Sequence, residues 1–262
     1  MAEPLVPGWF VLSVVAAFGL VFGSFLNVVI HRLPREESLL RPRSHCPSCG
    51  ALIRWFDNVP VLSFLLLAGH CRACRARIAW RYPAVELASA GLAVGVVARF
   101  GLTPRGAESL VLVMLLLPLA VIDLEHHLLP DVLTLPGIAL GLAGSLTAGI
   151  APLRDAVIGA LVGAALPYVV LVVYRWVRGI EGMGLGDVKL LAMIGAFLGW
   201  RGVLLSLGIG ATVGALVGIG LIVAGRGRRD TELPFGTFLA LGALPVLFGG
   251  DALMRMLDWT RP

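Results

Sequence analysis

Apolar stretches of bilayer length partition this chain and limit what it can become. They run at about 9–30, 83–99, 108–124, 131–150, 155–175, 187–200, 202–224 and 235–257, with 187–200 the shortest. A helix of about 17–25 apolar residues crosses the hydrocarbon core. Lipid offers a peptide N–H or C=O no partner, so spans of this kind close their hydrogen bonds within a helix. Composition agrees: 58% of the residues are hydrophobic and 14% charged, against about 25% charged in a soluble domain. The expected fold is an all-α polytopic membrane protein with about eight transmembrane helices. The first stretch does not read as a secretory signal, because no Lys or Arg precedes it and it is too long for an h-region.

The formal net charge of +5 lies mainly in loops. That suits orientation and contact with anionic lipid rather than binding of nucleic acid. With the N-terminus outside, 15 of the 21 basic residues fall in inside segments, nine of them between Arg32 and Arg81, and 6 fall outside. The excess predicts both termini outside and the long loop in the cytoplasm.

Residues 34–82 form the one long polar insertion, which divides the chain into a first helix (1–33), a small domain (34–82) and a helical domain (83–262). No internal repeat is expected. In the seventh stretch Ser206, Gly210, Gly214 and Gly218 recur every four residues, which puts small side chains on one helix face for close packing. Gly159 and Gly163 read the same way. All four cysteines lie in the insertion, as Cys46-Pro47-Ser48-Cys49 and Cys71-Arg72-Ala73-Cys74. Two CxxC pairs at this separation suit one tetrahedral Zn²⁺ with a closed, structural shell, and a domain this small needs such a staple. The competing readings are two disulfides or a redox pair, which a reducing cytoplasm disfavours. His45 and His70 each adjoin a cysteine and are left out of the ligand set.

Acids at membrane depth are costly and mark function by default. Asp123 closes the third stretch and Asp187, after Gly184-Leu185-Gly186, opens the sixth, so the orientation puts both at the cytoplasmic edge. Two adjacent carboxylates share a proton. The charged one takes a proton from water and the protonated one donates to a peptide carbonyl, which is amide hydrolysis without a metal or a covalent intermediate. Asp187 and Asp131 also suit helix caps, and Asp123 also suits a headgroup contact. Glu125, His126 and His127 read as solvated loop residues. Glu86 is a further intramembrane acid, and Lys189 either snorkels or lies near the aspartates. There is no HExxH, GxSxG or Walker A pattern.

In order, these blocks resemble the prepilin peptidases, the type IV leader peptidases of bacterial pilus and type II secretion systems. The blocks are Gly23-Ser24-Phe25-Leu26-Asn27-Val28 with Arg32-Leu33-Pro34; the two CxxC pairs around Asp57-Asn58-Val59-Pro60; and Arg81-Tyr82-Pro83-Ala84-Val85-Glu86. They continue with Ile122-Asp123 and Leu129-Pro130-Asp131, then Glu181 to Leu190 with its GxGD core, and Pro234-Phe235-Gly236. The resemblance implies eight spans in the bacterial inner membrane and an aspartic mechanism carried by Asp123 and Asp187. Its substrates would be prepilins or pseudopilins, cut after a glycine that ends a short basic leader. It further implies N-methylation of the new terminus with S-adenosylmethionine, served by the N-terminal half. There Gly23 to Val28 and Glu86 are site candidates, with interhelical hydrogen bonding as the alternative. No S-adenosylmethionine motif is recognisable. The acids Asp123, Glu125, Asp131, Glu181 and Asp187 would make the catalytic loops attractive to a basic leader. The competing functions are a peptidase without methylation and a transporter with a regulatory zinc module.

Overall fold

Helices form where the apolar stretches predict them. A computed structural model describes residues 7–147, 149–179, 184–225 and 233–256. The helices are α1 (Gly8–Arg32), α2 (Leu62–Leu66), α3 (Arg81–Phe100), α4 (Pro104–His126), α5 (Asp131–Gly144), α6 (Leu153–Arg178), α7 (Leu185–Val223) and α8 (Phe235–Met256). Among the described residues there is no strand, only the bridges His45–Leu52 and His70–Arg77. Five helices (α1, α3, α4, α6 and α7) are long and apolar enough to cross a bilayer, while α5 and the Phe235–Gly250 part of α8 are shorter apolar helices. Large apolar side chains stay outside, such as Phe18 (74% exposed) and Trp176 (86%), as a lipid-facing surface requires. The chain forms two compact units, Met1–Gly101 and Leu102–Pro262.

In the first unit α1 and α3 pack along facing rows spaced one helical turn apart. A Cβ on Gly19 would come within 2.6 Å of the Ala90 Cα, and one on Gly23 within 2.7 Å of the Glu86 Cα. One turn further on, the Asn27 side-chain amide donates to the Tyr82 carbonyl at 3.0 Å. The glycines allow backbone contact, so the seam is held by dispersion rather than by large side chains. The buried Arg32 guanidinium donates to the carbonyls of Ser38 (2.8 Å) and Pro42 (2.6 Å) and so fixes where the insertion leaves α1.

The insertion contains a repeat, contrary to the expectation. Cys46 and Cys71 open matching turns. Their N–H groups donate to Ala51 and Ala76, their carbonyls accept from Gly50 and Arg75, and Ile53 and Ile78 donate to Ser44 and Gly69. The pattern His-Cys-x-x-Cys-x-Ala-x-Ile occurs at both His45 and His70. It was hidden because the positions between are chemically unlike.

In the second unit α4 begins earlier than its apolar stretch. Thr103 caps it by accepting from Gly106 N–H at 3.1 Å, with Pro104 at the first position. α5 ends at Gly144, short of residue 150, and beyond its end Ile150 N–H turns back to the Glu108 carboxylate at 2.5 Å. Glu108 is a buried acid that the sequence reading passes over. The small residues pack as expected: Gly210 lies on the Phe238 backbone, Gly242 on Ser206 and Gly210, and Gly159 and Gly163 on the α7 backbone at Gly195 and Leu191.

The sixth and seventh stretches form one element, α7, broken at Gly199, where φ is 72° and ψ 177°. Leu191 and Leu207, on either side of the break, face the same α6 residues, Val162, Gly163, Leu166 and Pro167, so the chain folds back there. Counting the two halves of α7, the apolar helical segments among the described residues number eight: α1, α3, α4, α5, α6, 185–198, 200–223 and α8. That backbone conformation is open essentially only to glycine. Gly199→Ala should cost about 1–3 kcal/mol, read as a lower unfolding midpoint in detergent. Gly208→Ala, with nothing near its would-be Cβ, should leave the midpoint unchanged or slightly raised. Equal midpoints for the two variants would contradict a backbone requirement at Gly199.

Candidate active site and metal centre

Helix ends bring the polar blocks of the second unit together. Asp123 lies in the last turn of α4 and Asp187 in the first turn of α7, and they are 5% and 8% exposed. Both helix ends lie at the Leu129 loop, through Gly186 beside Asp187 and through Gly236 against Asp123. Gly184, not Asp187, occupies the cap position of α7, and Pro130, not Asp131, that of α5, and neither helix has a capping side chain. The cap readings of both acids therefore fall away.

Leu129 is the pivot. A Cβ on Gly186 would meet the Leu129 Cβ at 2.9 Å. A Cβ on Gly236 would meet the Leu129 Cδ1 at 2.9 Å and the Asp123 carboxylate at 3.1 Å. The glycines of two motifs thus let α7 and α8 close on the same loop. Thr237, absent from the sequence reading, then reaches Asp123. Its N–H donates to Oδ2 at 2.6 Å, and its hydroxyl lies 3.0 Å from Oδ2 and 2.9 Å from the Ala120 carbonyl. A hydroxyl has one proton and can also accept. Thr237 donates to an ionised Asp123. With Asp123 protonated, it accepts from the acid and donates to Ala120. The signal in the sequence was the polar residue directly after Pro234-Phe235-Gly236.

Other acids take different places. Asp131 accepts two hydrogen bonds from Lys189 Nζ, at 2.6 and 2.8 Å, in an ion pair that ties α5 to α7. Lys189 is thus engaged by Asp131 rather than only snorkelling. Glu125 and His126 belong to α4 rather than to a loop, and His127 ends it with φ 51°. Glu181 lies outside the described residues. Thr237→Val removes the hydroxyl but keeps the backbone donor. A lost hydrogen bond to a charged group is worth about 1.5–3 kcal/mol, so any reaction that needs Asp123 ionised should slow at least about tenfold, with little change in folding. An unchanged rate would mean that the hydroxyl does not act on Asp123.

In the first unit the sulfurs of Cys46, Cys49, Cys71 and Cys74 all lie within 4.8 Å of one another, and none is in a disulfide. Cys46 and Cys74 are 3.8 Å apart, and a tetrahedral ion with metal–sulfur bonds of about 2.3 Å separates its ligands by about 3.8 Å. Four close cysteines of this kind can bind a metal ion. Burial opposes ionisation of Cys46. The N–H groups of Ser48 and Cys49 and the thiols of Cys71 and Cys49 outweigh it, bringing the pKa to about 6. At Cys74 the Ala76 N–H favours the thiolate, but Cys49, burial and the other thiols push the pKa to about 11. Four thiolates at these distances need a cation to coexist. His45 and His70 donate from Nδ1 to the carbonyls of Arg43 and Ala68 instead. Between the knuckles Arg72 forms a forked ion pair with Asp57 at 2.6–3.1 Å, which holds the Asp57 carboxyl below its ordinary value.

Comparison with known proteins gives this geometry a family. A model described as the bacterial peptidase A24 N-terminal domain matches residues 17–100, and one described as the type IV leader peptidase family matches residues 110–219. Three relatives carry the name prepilin leader peptidase/N-methyltransferase. That of Burkholderia pseudomallei is 42% identical over 94% of this chain and 88% of its own. That of Aeromonas salmonicida is 41% identical over 94% of each chain. That of Myxococcus xanthus is 45% identical over 88% of this chain and 70% of its own. No solved structure matches. The match of both family models and of relatives 41–45% identical over most of this chain, in which the aspartate blocks of the second unit meet at Leu129, places it in the type IV leader peptidase family.

Proposed function

We propose that this membrane protein removes the leader peptide from type IV prepilins or pseudopilins with Asp123 and Asp187 as a general acid–base pair, and then N-methylates the exposed terminus. The observation that carries the peptidase is the pair itself, two buried carboxylates on separate helix ends that pack on the same Leu129 loop. One carboxylate takes a proton from a water held between them while the other gives its proton to the scissile carbonyl oxygen. The water oxygen bonds to the carbonyl carbon. Collapse of the tetrahedral species then breaks the C–N bond, with a proton delivered to the leaving nitrogen. The two titrate as one unit, so neither role belongs to one residue.

The cysteine cluster holds Zn²⁺ as a structural ion, since four thiolates leave no coordination position open for chemistry. S-adenosylmethionine, when bound, supplies the methyl group. The basic-residue count supports both termini outside, with the insertion and the acids on the cytoplasmic side of the inner membrane. The exposed apolar helix faces support lipid as the surroundings. The basic loops are explained by orientation, without nucleic acid. The transporter reading loses its ground once the family is shown. Purified protein incubated with a prepilin and S-adenosylmethionine should give a product that lacks the leader and carries one methyl group, read by mass. Leader loss without methylation selects the peptidase alone, and an intact prepilin contradicts the reading.

A further inference from the structure

The seam between α1 and α3 buries polar atoms that peptide cleavage does not use. Asn27 is 3% exposed and Glu86 8%. The Asn27 amide nitrogen donates to the Tyr82 carbonyl, and a carbonyl only accepts, so the orientation of the amide is fixed. Its Oδ1 is thereby left buried without a hydrogen-bond partner. Gly23 faces Glu86, and Asn27 lies one turn, about 6 Å, along the same row. Glu86 Oε2 accepts from Val61 N–H at 2.7 Å, and Ser24, next to Gly23, is on the same stretch of α1. The Val61 partner is neutral. Val61 stands at φ 59° and ψ −47°, with Leu62 N–H closing on the Pro60 carbonyl at 2.5 Å. This is a strained turn for a β-branched residue. Strain of this kind persists only where its surroundings hold it, and it clusters at functional sites.

A buried orphan acceptor one turn from a buried carboxylate lacks a particular ligand, one with several N–H donors, a positive charge and no acceptor. A primary ammonium has that description. We propose that Asn27 Oδ1 and Glu86 receive the ammonium of the peptide terminus that leader removal exposes, which makes this seam the acceptor-amine site of the methylation. The proposal rests on the functional reading above. An ammonium nitrogen has no lone pair, so it must lose a proton before it can react. Glu86 takes that proton and Asn27 Oδ1 holds a remaining N–H, which directs the freed lone pair. The nitrogen then bonds to the methyl carbon of a sulfonium donor as the carbon–sulfur bond breaks and its electron pair goes to sulfur. The product leaves as a secondary ammonium, and Glu86 returns its proton to water.

The test uses full-length protein in detergent and two synthetic peptides with the mature N-terminal sequence, one with a free amine and one N-acetylated. Wild type should bind the free amine at least about tenfold more tightly, as a charged hydrogen bond warrants. Glu86→Gln keeps an oxygen for Val61 N–H. It should leave the unfolding midpoint and leader cleavage intact while losing both the amine preference and product methylation. Asn27→Leu removes the orphan oxygen without touching the Val61 contact and should lose the preference by a separate route. Equal binding of both peptides by wild type overturns the proposal. So does Glu86→Gln with methylation intact, or Glu86→Gln losing stability and cleavage together. Failure of wild type to cleave a prepilin would instead strike the functional reading, and the peptide preference is measured independently of it.

Discussion

Serine at Cys46 or Cys71 will strip the protein of its metal and loosen the insertion. The four sulfurs sit within 4.8 Å of one another, too close for four thiolates without a cation, and one Sγ–Sγ separation already matches a tetrahedral edge. The two cysteine turns share no strand, and the chain between them holds only a 3-10 turn at Trp55–Asn58 and the short α2, so a bound ion would be the main bond between them. Structural zinc contributes about 10–16 kcal/mol in isolated finger peptides. Here the Asp57–Arg72 pair and the anchoring of Arg32 retain part of the structure. The expected results are about one Zn²⁺ per wild-type chain, well under half of that in either serine variant, and faster hydrogen exchange across residues 44–78. The α1–α3 seam should stay protected, because its contacts are backbone on glycine. Metal-free wild-type protein with normal exchange would contradict a structural zinc centre.

The molecule was legible where one force dominated. Lipid leaves an apolar stretch no fold but a helix, so the eight segments could be read directly, including the weak sixth. Chain ends were harder. α5 stops at Gly144, and beyond it Glu108, far away in sequence, takes the Ile150 N–H, a contact that no local pattern reports. The break at Gly199 shows in sequence only as one glycine among 33. Asp123 and Asp187 stood out as acids beside apolar runs, and so did Glu86. Glu108 had the same signature at the other end of its helix and was passed over. Thr237 carries no local signal, because a threonine at a span edge is common and its role exists only once Gly236 lets α8 approach Asp123. The repeat of the cysteine turns is faint in sequence, because the two copies keep only His, Cys, Ala and Ile.

The acid pair carries the largest expected effect. Amide to carboxylate is nearly isosteric, so Asp123→Asn and Asp187→Asn should fold and insert normally. The amide at position 123 can still accept from Thr237 N–H. Neither can share a proton across the pair, and each should lower leader removal by at least about 10²–10⁴-fold. Groups that act as a unit are strongly non-additive, so the double variant should be no slower than the slower single. Asp131→Asn should be milder, because Asp131 is half-exposed and tied to Lys189 in a pair of the kind worth about 0–1 kcal/mol. Serine-protease reagents and chelators should leave the cleavage step itself untouched. The most direct measurement is the initial rate of leader removal from a purified prepilin by wild type, the two single variants and the double. Collapse of both singles to a common floor shared by the double is the predicted result. Near-wild-type cleavage by either single variant would contradict the paired-aspartate account.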